Sequence, residues 1–151
     1  MRTITAVRAY KTMKSARLSK MEDDDKMKFI KAMRVLRPIA EEYDKNLEEG
    51  KTVLQDERFE EMQQKAAKHN EALQTKKQEG LLGFSELKEL NDYFKDYDKS
   101  ARELVKELDE KEVSVSIGRM DEVAFGKLAA SNDLTGGELE LLYDVMVEKK
   151  A

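Results

Sequence analysis

The residues that could do chemistry are few, and their spacing decides each case. His69 is the single histidine and there is no cysteine. It stands in the row Phe59, Met62, Ala66, His69, Leu73 with no HxxxH or ExxH companion, so it reads as a seam histidine, not a metal ligand. Asp96, Asp98, Ser100 and Glu107 fall at positions 1, 3, 5 and 12 of a calcium loop. Ala101 and Glu103 stand where that loop needs its turn glycine and an apolar group, and a helical pattern runs through them, which argues against an ion. The paired carboxylates Glu41-Glu42, Glu48-Glu49, Glu60-Glu61 and Asp109-Glu110 would diverge by about 100° on a helix and read as solvated faces. Gly80-x-x-Gly83 lacks the Lys-Ser/Thr that holds phosphate, and no GxSxG or GxGxxG is present. No catalytic, cofactor-binding or metal-binding residue is expected, and the reading is of a non-enzyme without a cofactor.

One charged constellation does carry a hypothesis. Arg8, Lys11, Lys14 and Arg17 recur every three residues, and Lys26, Lys28, Lys31, Arg34 and Arg37 follow. Such a basic segment, residues 2–37, could neutralise phosphates in a salt-dependent way, although no helix-turn-helix pattern accompanies it.

Those residues need elements to hold them, and the pattern is helical. One proline and seven glycines in 151 residues give the backbone little punctuation. A first helix is expected over 5–20. Glu22–Asp25 is a stop and restart, since acids suit a helix N-terminus. Phe29, Met33, Leu36, Ala40, Tyr43 and Leu47 then step by four and three, with a kink or fresh start expected at Pro38 and a weak point at Gly50. The jump from Leu54 to Phe59 shifts the stripe as a coiled-coil register change would. Beyond the turn at Gly80–Gly83, with Ser85 expected as cap, Leu87, Leu90, Phe94, Tyr97, Ala101, Leu104 and Leu108 form an a/d seam with charged flanks. Residues 55–79 and 85–109 are therefore expected to form an antiparallel hairpin. Val113, Val115 and Ile117 alternate with serines, which predicts a short strand over about 112–117, with residues 2–5 or another subunit as its partner. A short helix over 121–130 and a last helix begun by the Thr135-x-x-Glu138 capping box complete the chain.

Composition sets the outer limits. Charged residues are 40% of the chain, and Leu, Ile, Val and Phe together number 34 of 151, so a core is possible but thin. Residues 1–40 hold eleven basic and four acidic groups, net +7, and residues 41–151 hold 17 and 28, net −11. That asymmetry is read chiefly as mutual attraction within or between molecules. The longest apolar run is about four residues against the ~18 that span a bilayer, so no membrane is expected. The acid-free first 21 residues only weakly resemble an organellar transit peptide, with two serines among them.

The segment Leu108-Asp109-Glu110-Lys111-Glu112-Val113-Ser114-Val115, with the charged heptad before it and Leu134-Thr135-Gly136-Gly137-Glu138-Leu139-Glu140-Leu141-Leu142-Tyr143-Asp144-Val145-Met146 after it, resembles a family of small helical proteins of tailed phages and prophages. The resemblance covers residues 84–148. It implies an accessory or assembly factor in a bacterial cytoplasm, with virion association open, and carries over no site residue.

The expectation is one mainly α domain: a basic section (1–50), a long antiparallel helical hairpin (51–109) and a strand plus C-terminal helices (110–151). Its function is expected to be protein interaction, as a homo-oligomer or with another protein, through an incompletely covered seam of Phe29, Met33, Tyr43, Leu87, Phe94 and Tyr97. The alternative is nucleic-acid contact through Arg8, Lys11, Lys14 and Arg17.

Overall fold

The computed structural model describes residues 1–148 and is mainly helical. Its helices are α1 (Thr3–Lys14), α2 (Asp23–Leu54), α3 (Phe59–Thr75), α4 (Phe84–Glu110), α5 (Glu122–Ala130) and α6 (Gly136–Met146). The chain divides into two compact units whose borders fall inside α2 and α4: Met1–Asn46 with everything from Leu108 onward, and Leu47–Glu107.

The first unit owns most of the buried apolar side chains. Ala6, Ala9 and Met13 of α1, Phe29, Ala32 and Leu36 of α2, Ala124 and Leu128 of α5 and Leu142, Val145 and Met146 of α6 share one core. α2 starts where the acids predict it, with Asp23, Asp24 and Asp25 in its first turn. It neither restarts at Pro38 nor stops at Gly50. Pro38 and Arg34 are both exposed, so water can serve the carbonyl that the missing N–H leaves open. The capping box at Thr135 and Glu138 is formed, and Asp121 caps α5 through a 2.8 Å bond from the Ala124 N–H.

The expected strand is reduced to one antiparallel bridge, Arg2 with Glu112, made within the chain. The Thr3 N–H and Oγ1 both donate to the Lys111 carbonyl, at 2.8 and 2.7 Å, and the Val113 N–H donates to the Met1 carbonyl. Because α1 begins at Thr3, no extended residues remain to lengthen the ladder. Val113, Val115 and Ile117 still alternate inward and lie against the core.

The second unit holds the hairpin. α2 ends at Leu54, so the stripe's jump before Phe59 is a true break between helices. Phe59 packs on Phe94 and Tyr97, with ring centroids 6.2 and 5.0 Å away. Met62, Ala72 and Leu90 are its buried apolar residues among those described, which makes this the thin-cored half. At the turn, Lys76 takes a left-handed conformation (φ 55°) and Gly80 has φ 90°, where a side chain would be strained. His69 serves the same turn: its Nδ1 accepts the Leu82 N–H at 3.1 Å. α4 opens at Phe84 with the Leu87 N–H on the Gly83 carbonyl, so Ser85 lies inside the helix and is not its cap.

Candidate interaction surfaces

The structure distributes the expected seam over both units. Phe29 is 1% exposed inside the first unit's core, Met33 packs against that core, and Tyr43 is 8% exposed. The Tyr43 hydroxyl donates to Asp109 Oδ1 at 2.5 Å. Burial, followed by that bond and the charges of Asp109 and Asp44, pushes the Tyr43 pKa up to about 12 against the pull of Arg8. In the second unit Leu87, Phe94 and Tyr97 are half-buried, and Phe94 and Tyr97 are brought together around Phe59. On the folded surface the first three residues are spent on the chain's own packing, and the last three are only half available.

The basic row changes shape as well. α1 ends at Lys14, so Arg17 lies in the following loop and the four cations do not share one helix face. Lys11 Nζ sits 3.6 Å from Asp44 Oδ1. The main chain of Arg17 is clamped by Asn132, whose Oδ1 accepts the Arg17 N–H at 2.7 Å while Nδ2 donates to the Arg17 carbonyl at 2.9 Å. On α2, Lys28, Lys31 and Arg34 are exposed and form no ion pair among the described residues. Asp96, Asp98, Ser100 and Glu107 lie along the unbroken α4, where they cannot close around an ion. Among the described residues no three His, Asp or Glu side chains converge as a metal would require, and no helix is long and apolar enough to cross a membrane.

Sequence reasoning missed several exposed apolar groups, most of them off the stripes, although Leu73 stands on the α3 stripe itself. Phe84 is 86% exposed, Leu73 57% and Leu81 40%, all toward the α3–α4 turn. From Phe84 an open trough of about 570 Å³ follows α4, lined by Lys88, Glu89, Asp92 and Tyr93, with Arg58 contributed by the segment before α3. Arg58 pairs with Glu89 and lies 5.5 Å from the Tyr93 ring centroid. The Tyr93 hydroxyl donates to Asp56 Oδ1; desolvation, then that bond, raise its pKa to about 12. With Asp96 the lining holds three acids against two bases, and the Arg58–Glu89 pair leaves Asp92 and Asp96 beside Lys88. Two further faces expose apolar groups: Met27, Ile30 and Val35 on α2, and Val123 with Tyr143 on α5 and α6. Their signal was present in the sequence as large apolar residues at positions off the buried rows.

No protein-family model, curated protein or solved structure matches the chain.

Proposed function

We propose that the chain is a non-enzymatic protein-interaction module, an accessory or assembly factor of the kind that its resemblance to small phage and prophage proteins implies. The supporting observation is Phe84, 86% exposed at the head of α4, with Leu81 and Leu73 toward the same turn. A phenyl ring left in water gains roughly 1.5–3 kcal/mol when a partner buries it. The trough beside it, rich in Glu89, Asp92 and Asp96, fits a protein segment that pairs an apolar anchor with basic neighbours.

The test compares the chain with its Phe84→Ser variant, each immobilised and challenged with a soluble extract of the cell that makes it. The expected result is a defined partner held by the native chain and lost by the variant, with unchanged helical circular dichroism. Equal retention by both would refute this reading.

A further inference from the structure

Two faces of the first unit carry opposite charge and comparable apolar groups. Outside α2, Met27 is 50% and Ile30 40% exposed, flanked by Lys28, Lys31 and Arg34 without ion-pair partners among the described residues. No acid occurs from Lys26 to Ala40. Outside α5 and α6, Val123 is 70% and Tyr143 40% exposed, and Glu122, Glu140 and Asp144 stand exposed beside them. Glu122 accepts the Tyr143 hydroxyl at 2.8 Å, which holds that ring at the surface. The inner sides of α2, α5 and α6 enter one core through Phe29, Ala32, Leu36, Ala124, Leu128 and Leu142. Lys127 of α5 reaches Glu22 at the start of α2, but among the described residues none of Lys28, Lys31 and Arg34 pairs with Glu122, Glu140 or Asp144 of the same copy.

We propose that they meet between copies: the basic face of α2 docks on the acidic face of α5 and α6 of a second copy of this chain. The contact joins two different patches, so it is head-to-tail and repeats until a ring closes or a filament grows. Opposite charges set orientation and speed encounter, while Met27, Ile30, Val123 and Tyr143 supply the apolar contact. A nucleic acid fits α2 less well. Phosphates would leave Met27 and Ile30 uncovered, whereas Val123 and Tyr143 of a second copy can cover them. This surface is separate from the Phe84 turn, so the inference extends beyond the reading given above.

Sedimentation velocity over a concentration series, at low and high salt, tests it. One variant carries Lys28→Glu, Lys31→Glu and Arg34→Glu; the other carries Glu140→Lys and Asp144→Lys, with folding of each checked by circular dichroism. The native chain is expected to self-associate, less so at high salt. Each variant alone should associate roughly tenfold or more weakly, and their equimolar mixture should regain association, because the native basic face of one variant meets the native acidic face of the other while the two reversed faces meet with signs exchanged. A native chain that stays monomeric at low salt, reversals without effect, or a mixture that fails to recover would each overturn the proposal. So would a monomeric chain that binds a labelled DNA duplex through the α2 cations, seen as anisotropy lost in the first variant. The Phe84→Ser variant should self-associate as the native chain does, which keeps this test distinct from that of the turn.

Discussion

Replacing Tyr43 by Phe removes one oxygen atom from the contact that fastens α2 to the end of α4. The hydroxyl is donated to Asp109 at 2.5 Å across 66 residues of sequence, from a side chain only 8% exposed as a residue. A hydrogen bond to a charged group contributes ~1.5–3 kcal/mol, toward the lower end where the partner is half-exposed and can take water instead. The pKa raised from 10.0 to about 12 agrees in direction, with burial as its largest cause and the bond to Asp109 the second. The bond alone therefore places the cost of Tyr43→Phe near ~1.5 kcal/mol at neutral pH. The sign follows from the direction of the shift. The folded state holds the phenolic proton more tightly than the unfolded chain does, so the stabilisation is complete below pH 10 and disappears as pH rises to about 12. Urea unfolding of both proteins, followed by circular dichroism, should show a gap that is level from neutral pH to about 9.5 and then closes. An Asp109→Ala partner in a double-mutant cycle should give a coupling of about 1 kcal/mol. A gap under ~0.5 kcal/mol at pH 7, or one that persists unchanged at pH 11.5, would refute the reasoning.

Gly50 makes a second case, because an added Cβ would stand 2.6 Å from Leu104 Cδ2. Helix propensity favours Ala over Gly by about 1 kcal/mol, so Gly50→Ala should be near neutral in the native chain yet stabilising by ~1 kcal/mol once Leu104→Ala has cleared the space. Equal effects in the two backgrounds, by urea unfolding, would show that Leu104 does not limit this position. Asn132→Ala should release the Arg17 loop, since the amide side chain makes three bonds, two to Arg17 and one to the Leu128 carbonyl at 2.8 Å. The expected cost is about 2 kcal/mol, with faster hydrogen exchange at the Arg17 amide; unchanged exchange would count against the clamp.

What the sequence made legible was periodicity and local chemistry. The stripes of α2, α3 and α4 appeared as spacings of three and four, and the Thr135–Glu138 box needs only neighbouring residues. What stayed hidden depends on distant partners. Nothing near Arg17 says that Asn132, 115 residues on, will take over its backbone bonds, or that α1 will end at Lys14, six residues short of the expected end. Gly50 looks like a weak point until Leu104 is placed against it. Val113–Ile117 keep the period of a strand, but strand pairing requires an extended partner, and Met1–Thr3 supplies only a bridge. The α2 row selected by periodicity is the row that helix buries, as Phe29 and Tyr43 show, while the α3 and α4 rows leave Leu73 exposed and Leu87, Phe94 and Tyr97 half-buried. Phe84, Met27, Val53 and Val123 lie outside such rows, and all four stay exposed.

The opposed charges of the two halves do less inside the molecule than their totals suggest. The +7 segment folds into one unit with two acidic stretches, residues 41–46 and 108–148, yet Lys11–Asp44 and the N-terminal amine with Glu112 are its ion pairs of that sense among the described residues. A third, Lys127–Glu22, runs in the opposite sense, the acid coming from the basic segment. Exposed pairs of this kind contribute about 0–1 kcal/mol each, while burying even one large apolar side chain gives ~1.5–3. Apolar packing of Phe29, Leu36, Leu128 and Leu142 therefore holds this unit, and charge is not consumed in doing so. Lys28, Lys31 and Arg34 stay uncompensated on one side while Glu122, Glu140 and Asp144 collect on another. A surface sorted by sign in this way gains little stability for a single copy. It selects orientation when copies meet, which is why the charge-exchanged mixture is the decisive measurement.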